Sequence, residues 1–199
     1  MSKFNNVLLY FLTFTVAAYA VYSYGVIPLA AMPPTPMKEN FLAHASGIVT
    51  HVFASLIALV LGPFQFSARF RQNHLAIHRW FGRCYLGLGV LVGGVSGLYM
   101  SQYASGGMLA KLGFGTLAIA WLYTGWCAYL AVRRGAIDEH RKWMVRNFSL
   151  TLAAVTLRIY LPASMLAGIS FATAYPVIAW ACWIPNLIFA EWRINSARS

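Results

Sequence analysis

The stretch from Phe41 to Arg83 constrains the fold most. It opens with FLAHASGIVTHVFASLIALVLGPFQF, an apolar run long enough to cross a bilayer, and closes with SARFRQNHLAIHRWFGR, which carries four arginines and no acid. A helix needs roughly 20 predominantly apolar residues to cross the hydrocarbon. The first half meets that requirement. The second half holds too much charge to enter lipid, so it marks one side of the membrane.

The rest of the chain repeats this arrangement. Apolar runs occur at 4–27, 41–61, 78–100, 111–132, 147–168 and 171–189. Of the 199 residues, 60% are hydrophobic and 10% charged. A soluble domain carries about a quarter charged residues, so most of this surface must face lipid. The expected fold is all-α: a single integral-membrane domain over 1–199, built as a polytopic bundle of about six transmembrane helices.

Charge sets the expected orientation. The net charge is +11, from 15 Lys and Arg against 4 Asp and Glu. The cations gather after the second and fourth runs and in the tail, where Arg193 and Arg198 accompany Glu191. The opposite loops carry Lys38, Glu39 and Lys111. The positive-inside rule then puts both termini in the cytoplasm, as an even number of spans requires. Clustering at span ends also argues against nucleic-acid binding, because no basic face interleaved with aromatics is left over.

Local signals refine the boundaries. Ala18-Tyr19-Ala20 resembles a signal-peptidase site, but the apolar run continues to Ala31, so a retained first helix acting as a signal anchor is expected. Gly62-Pro63 should end the second helix, since proline lacks a donor and disfavours helix before it. Cys84, Cys127 and Cys182 lie in apolar runs without metal-ligand spacing and read as core thiols. Trp80, Trp126, Trp143 and Trp192 near span ends suit an interfacial belt.

Polar residues in lipid are costly and turn inward. Helical spacing puts His44, Gly47, His51, Ser55 and Ala58 on one face, and His78, Gly82, Tyr85, Gly89, Gly93 and Ser96 on another. Gly89, Gly93 and Gly97 repeat at a spacing that permits close helix approach. A third face carries His140, Asn147, Thr151, Ala154 and Arg158, with its ends about five turns apart.

The chemistry follows from these faces. His78-Arg79 with Arg83 and His140-Arg141 with Arg146 begin two runs of the same direction. Two imidazoles at similar depth can ligate one haem b iron, with the four arginines near its propionates. The plainer alternative is that both pairs are interfacial topology signals. Arg158 has no carboxylate in any expected span. Either it bonds carbonyls and Thr hydroxyls of the protein, or it meets an anionic group from outside. On the second reading His44, His51, Thr151 and Arg158 line a pocket for a quinone or small anionic substrate.

Other sites fit less well. His44 and His51 are about 10 Å apart along a helix, too close for a stacked two-haem bundle. His74 and His78 could clip a metal if their loop is helical. Five histidines and few carboxylates disfavour a two-iron oxygenase. Phosphate-loop, nucleophile-elbow and zinc-protease motifs are absent.

Four segments carry a family resemblance: HVFASLIALVLGPFQF from His51, HRWFGRCY from His78, GFGTLAIAWLYT from Gly113 and HRKWMVRNFSLTLAAVTLR from His140. Together they resemble a family of bacterial membrane proteins, domain of unknown function 2306, with a core over 41–193. The resemblance implies a multi-pass protein of the bacterial inner membrane and supplies no activity. The residues support two classes: a haem-binding redox component acting with a quinone or small substrate, and a cofactor-free carrier of lipid or small molecules. A structural or assembly subunit is the third possibility.

Overall fold

A computed structural model describes residues 3–196, with side chains described from Val7 onward. Arg198 of the expected tail lies outside that range. No strand occurs among the described residues, and six helical stretches are long and apolar enough to cross a membrane. They run Val7–Val26, Ala45–Phe66, Leu75–Ser101, Gly107–Arg133, Ile137–Leu166 and Phe171–Ser196. The chain packs as two compact units, Met1–Ser96 and Gly97–Ser199, with the boundary inside the third stretch.

In the first unit, α1 (Lys3–Val21) continues as a π turn over Tyr22–Val26 and stops where Ile27 and Pro28 become extended. A short helix α2 (Lys38–Ala43) leads to α3 (Ala45–Phe66). Pro63 does not end α3 as the Gly62-Pro63 pair suggested. It lies buried inside the helix, which continues to Phe66. Proline removes one backbone bond, and a buried ring in a packed bundle tolerates that loss. The actual stop is Ser67. Its backbone is extended, and its Oγ accepts from the Phe70 N–H at 3.2 Å to start α4 (Ala68–Asn73).

The third stretch comprises α5 (Leu75–Cys84), a π segment over Tyr85–Val92 and α6 (Gly93–Ser101). α3 packs against both α1 and the π segment. Tyr10 and Phe14 meet Phe64 edge-on, with ring centroids 5.3 and 6.4 Å away. Against the π segment the contact is backbone to backbone. A Cβ on Gly89 would lie 2.8 Å from the Ala58 Cβ and 2.9 Å from the Ala58 nitrogen.

The second unit holds α7 (Gly107–Arg133), α8 (Ile137–Thr151), α9 (Ala153–Leu166), α10 (Phe171–Ala181) and α11 (Ile184–Ser196). α7 packs against α8 and α10, α8 against α11, and α9 against α10. The fifth stretch was expected as one helix carrying a continuous polar face. It runs as one stretch from Ile137 to Leu166, with a single tightened turn at Leu152, whose backbone stays right-handed helical and whose carbonyl accepts from both Val155 and Thr156, so Ala154 and Arg158 lie beyond that irregularity on α9. Pro185 falls in the first turn of α11, where a missing donor costs little.

Lipid gives no hydrophobic drive between helices, so association depends on van der Waals contact of small residues. The inner faces follow that rule. Ala58, Ala110, Ala128, Ala131 and Ala179 are fully buried. Gly113 meets Ala179 so closely that an added Cβ would sit 2.9 Å from its Cβ. Bulky apolar residues such as Leu91, Ile119 and Ile188 are exposed instead.

Candidate functional site

The best-defined polar cluster lies between α7 and α8. Asn147, one turn before the end of α8, is completely buried. Its Nδ2 donates to the Trp121 carbonyl at 2.7 Å and to Thr124 Oγ1 at 2.9 Å. Thr124 passes its own proton back along α7 to the Ala120 carbonyl at 2.8 Å. One turn further on, Trp121 Nε1 donates to Thr151 Oγ1 at 3.0 Å, and Thr151 donates to the Asn147 carbonyl at 3.1 Å. Two turns from Asn147 toward the start of α8, His140 Nδ1 lies 2.9 Å from the Ala128 carbonyl.

A carbonyl only accepts, so Nδ1 of His140 carries the proton. Its Nε2 is then the nitrogen with a free lone pair. A backbone carbonyl commonly orients a metal-ligating imidazole in this way. His140, Asn147 and Thr151 therefore form a ladder that fixes α8 against α7 and aims one half-buried imidazole. Sequence spacing put these three on a common face. It missed Trp121 and Thr124, although both are hydrogen-bonding side chains in an apolar run and lie three residues apart.

The other candidates distribute as follows. In the first unit, His51 Nδ1 donates to the Gly93 carbonyl at 2.8 Å, where the third stretch returns from π to α. His44 is not within the span. It separates α2 from α3 in a non-helical conformation and is half-buried. His78 lies in the first turn of α5 and is half-buried, while Arg79 and Arg83 on the same helix are exposed. Neither arginine has a carboxylate partner among the described residues. His74 caps α5 with a non-helical backbone, so it and His78 lack the geometry of a helical metal clip. Among the described residues no group of three or more His, Cys, Asp or Glu side chains could hold a metal.

In the second unit, the guanidiniums expected near propionates have carboxylate partners. Arg141 bonds Asp138 at 3.3 Å on its own helix. Arg146 makes a two-pronged pair with Glu191 of α11, Nη2 to Oε2 at 2.9 Å, and lies 4.6 Å from the centre of the Trp143 ring. Glu191 was expected in a tail after a sixth helix ending at Phe189, whereas that helix continues to Ser196 and carries Glu191 beside Arg146. Arg158 donates from Nη1 to the Ala154 carbonyl one turn back, at 3.0 Å. Thr151 is committed to the ladder and offers no spare proton to a substrate.

Below Arg146 the end of α7 and the start of α8 enclose an open recess of about 440 Å³. Cys127, Leu130, Arg134, Glu139, Lys142, Trp143 and Arg146 line it. All three cysteines are free thiols.

Six apolar stretches, with small residues where helices approach most closely and many large apolar side chains on the exposed surface, define a helical integral membrane protein. Over residues 48–194 the chain matches the family described as predicted membrane protein, domain of unknown function 2306, and it belongs to that family. Comparison with curated proteins and with solved structures finds no match.

Proposed function

We propose that the chain is a haem-binding component of a membrane redox system, with His140 as one axial ligand. The observation that carries this reading is the His140 imidazole. Its Nδ1 is fixed on the Ala128 carbonyl, and the Asn147 ladder fixes the helix beneath it. A b-type haem, when bound, supplies one-electron chemistry. The protein's part is to hold the imidazole tautomer, to exclude water with the buried faces of α7 and α8, and to tune ligand strength through the Ala128 carbonyl.

Protein purified from haem-replete cells should show a Soret band. His140→Ala should abolish it or shift it. The Asn147 network lies outside first contact with iron, so Thr124→Ser should keep the band. A colourless wild-type protein defeats the proposal and leaves the carrier or the assembly subunit. So does a band unchanged in His140→Ala.

The same reading puts the chain in a bacterial inner membrane with both basic hairpins and the C-terminus in the cytoplasm. A C-terminal fusion to green fluorescent protein should fluoresce, and a fusion to alkaline phosphatase should be inactive. The reverse pattern would refute the orientation.

A further inference from the structure

The recess at the joint of α7 and α8 is independent of the His140 face. At about 100° per residue, Glu139, Lys142, Trp143 and Arg146 occupy the flank of α8 next to the one that carries His140, Asn147 and Thr151. Three cations and one acid line the recess. Glu191 satisfies Arg146. Arg134 has only a long pair with Glu139, at 3.8 Å, and both side chains are more than half exposed. Such a pair is weak and displaceable. Lys142 has no carboxylate partner among the described residues. Trp143 and Leu130 add an apolar wall, and Trp143 is a residue type that settles at the headgroup level.

We propose that this recess binds a phosphate-bearing anion between Lys142 and Arg134, and that its source is the headgroup of an acidic phospholipid. The charge is compact and unneutralised at Lys142. Its neighbour Arg134 can exchange a long carboxylate contact for a shorter phosphate one. The apolar wall suits the first carbons of an acyl chain and has no role for a free ion. Basic pockets between membrane helices near the surface hold lipid headgroups by these forces.

The test uses full-length protein in detergent, with bound lipid counted by native mass spectrometry. Phosphatidylglycerol, phosphatidylcholine and inorganic phosphate are offered separately. Each nearby cation contributes on the order of a fivefold preference for acidic lipid. Wild type should therefore retain phosphatidylglycerol over phosphatidylcholine by about tenfold or more. The double variant Lys142→Gln, Arg134→Gln should lose most of that preference. Arg193→Gln, which removes an exposed cation from the last turn of α11, should keep it. Retention of phosphatidylglycerol undiminished by added phosphate identifies the headgroup. Displacement by inorganic phosphate assigns the same recess to a soluble phosphate instead. Equal retention of both lipids overturns the site, as does a preference that survives the double variant or falls equally in Arg193→Gln. None of these outcomes depends on haem, so the pigment test and this one can fail separately.

Discussion

Replacing Asn147 by alanine should destabilise the protein by about 2–3 kcal/mol, the largest single loss expected from one polar side chain here. Two effects add. The amide gives up bonds to the Trp121 carbonyl and to Thr124 Oγ1, and its removal leaves a hole at a fully buried position. Hydrogen bonds between membrane helices average only about 0.6 kcal/mol, so the bonds alone would supply about half of the effect. Thr124 keeps its bond to Ala120, which limits the damage on α7. Trp121→Phe, which removes the bond to Thr151 and some ring volume from a buried site, should cost about 1–2 kcal/mol, less than Asn147→Ala. Asn147→Asp should exceed both, because the acid either buries a charge at a fully buried position or, protonated, keeps one donor where the amide has two. Thermal unfolding in detergent reads all three. A midpoint for Asn147→Ala equal to wild type would mean that the ladder does not hold α8 on α7.

The second large effect is steric. Gly89→Ala should cost about 1–3 kcal/mol, the usual range for overpacking. The obstructing atoms are the Ala58 Cβ, nitrogen and Cα at 2.8, 2.9 and 3.1 Å, and none of them can rotate away. Gly87, two residues earlier, is the internal control. A Cβ there meets nothing within 4 Å, so Gly87→Ala should be neutral or slightly stabilising. Ala58→Gly should restore part of the loss in Gly89→Ala, because it removes the nearest contact and leaves the backbone ones. The same unfolding assay decides the point. Equal behaviour of the two glycine variants would disprove the backbone contact.

These two positions also show what was legible in the sequence. Span number and helical class followed from length and apolar content. The face shared by His140, Asn147 and Thr151 followed from spacing, because α8 is regular up to Thr151. The tightened turn at Leu152 had no local sign. Leu152, Ala153 and Ala154 are good helix formers. The turn fits a change of neighbours, since α8 packs on α7 and α11 whereas α9 packs on α10. Pro63 failed in the opposite sense. A local rule said stop, and the buried setting of the ring overrode it. Span ends were drawn too short wherever a charge appeared. That is why Glu191 was left in the tail and the partner of Arg146 went unrecognised.

The alanine and glycine seams have a consequence for how this protein's faces are told apart. In water, polarity separates inside from outside. Here both sides of a helix are apolar, and the closest approaches are marked by small residues, as at Gly89 with Ala58 and Gly113 with Ala179, while large side chains such as Tyr85, Trp121 and Phe148 fill the inner faces beside them. A hydropathy profile is therefore a poor guide to the arrangement of the spans, whereas the positions of glycine and alanine mark where two backbones can come closest.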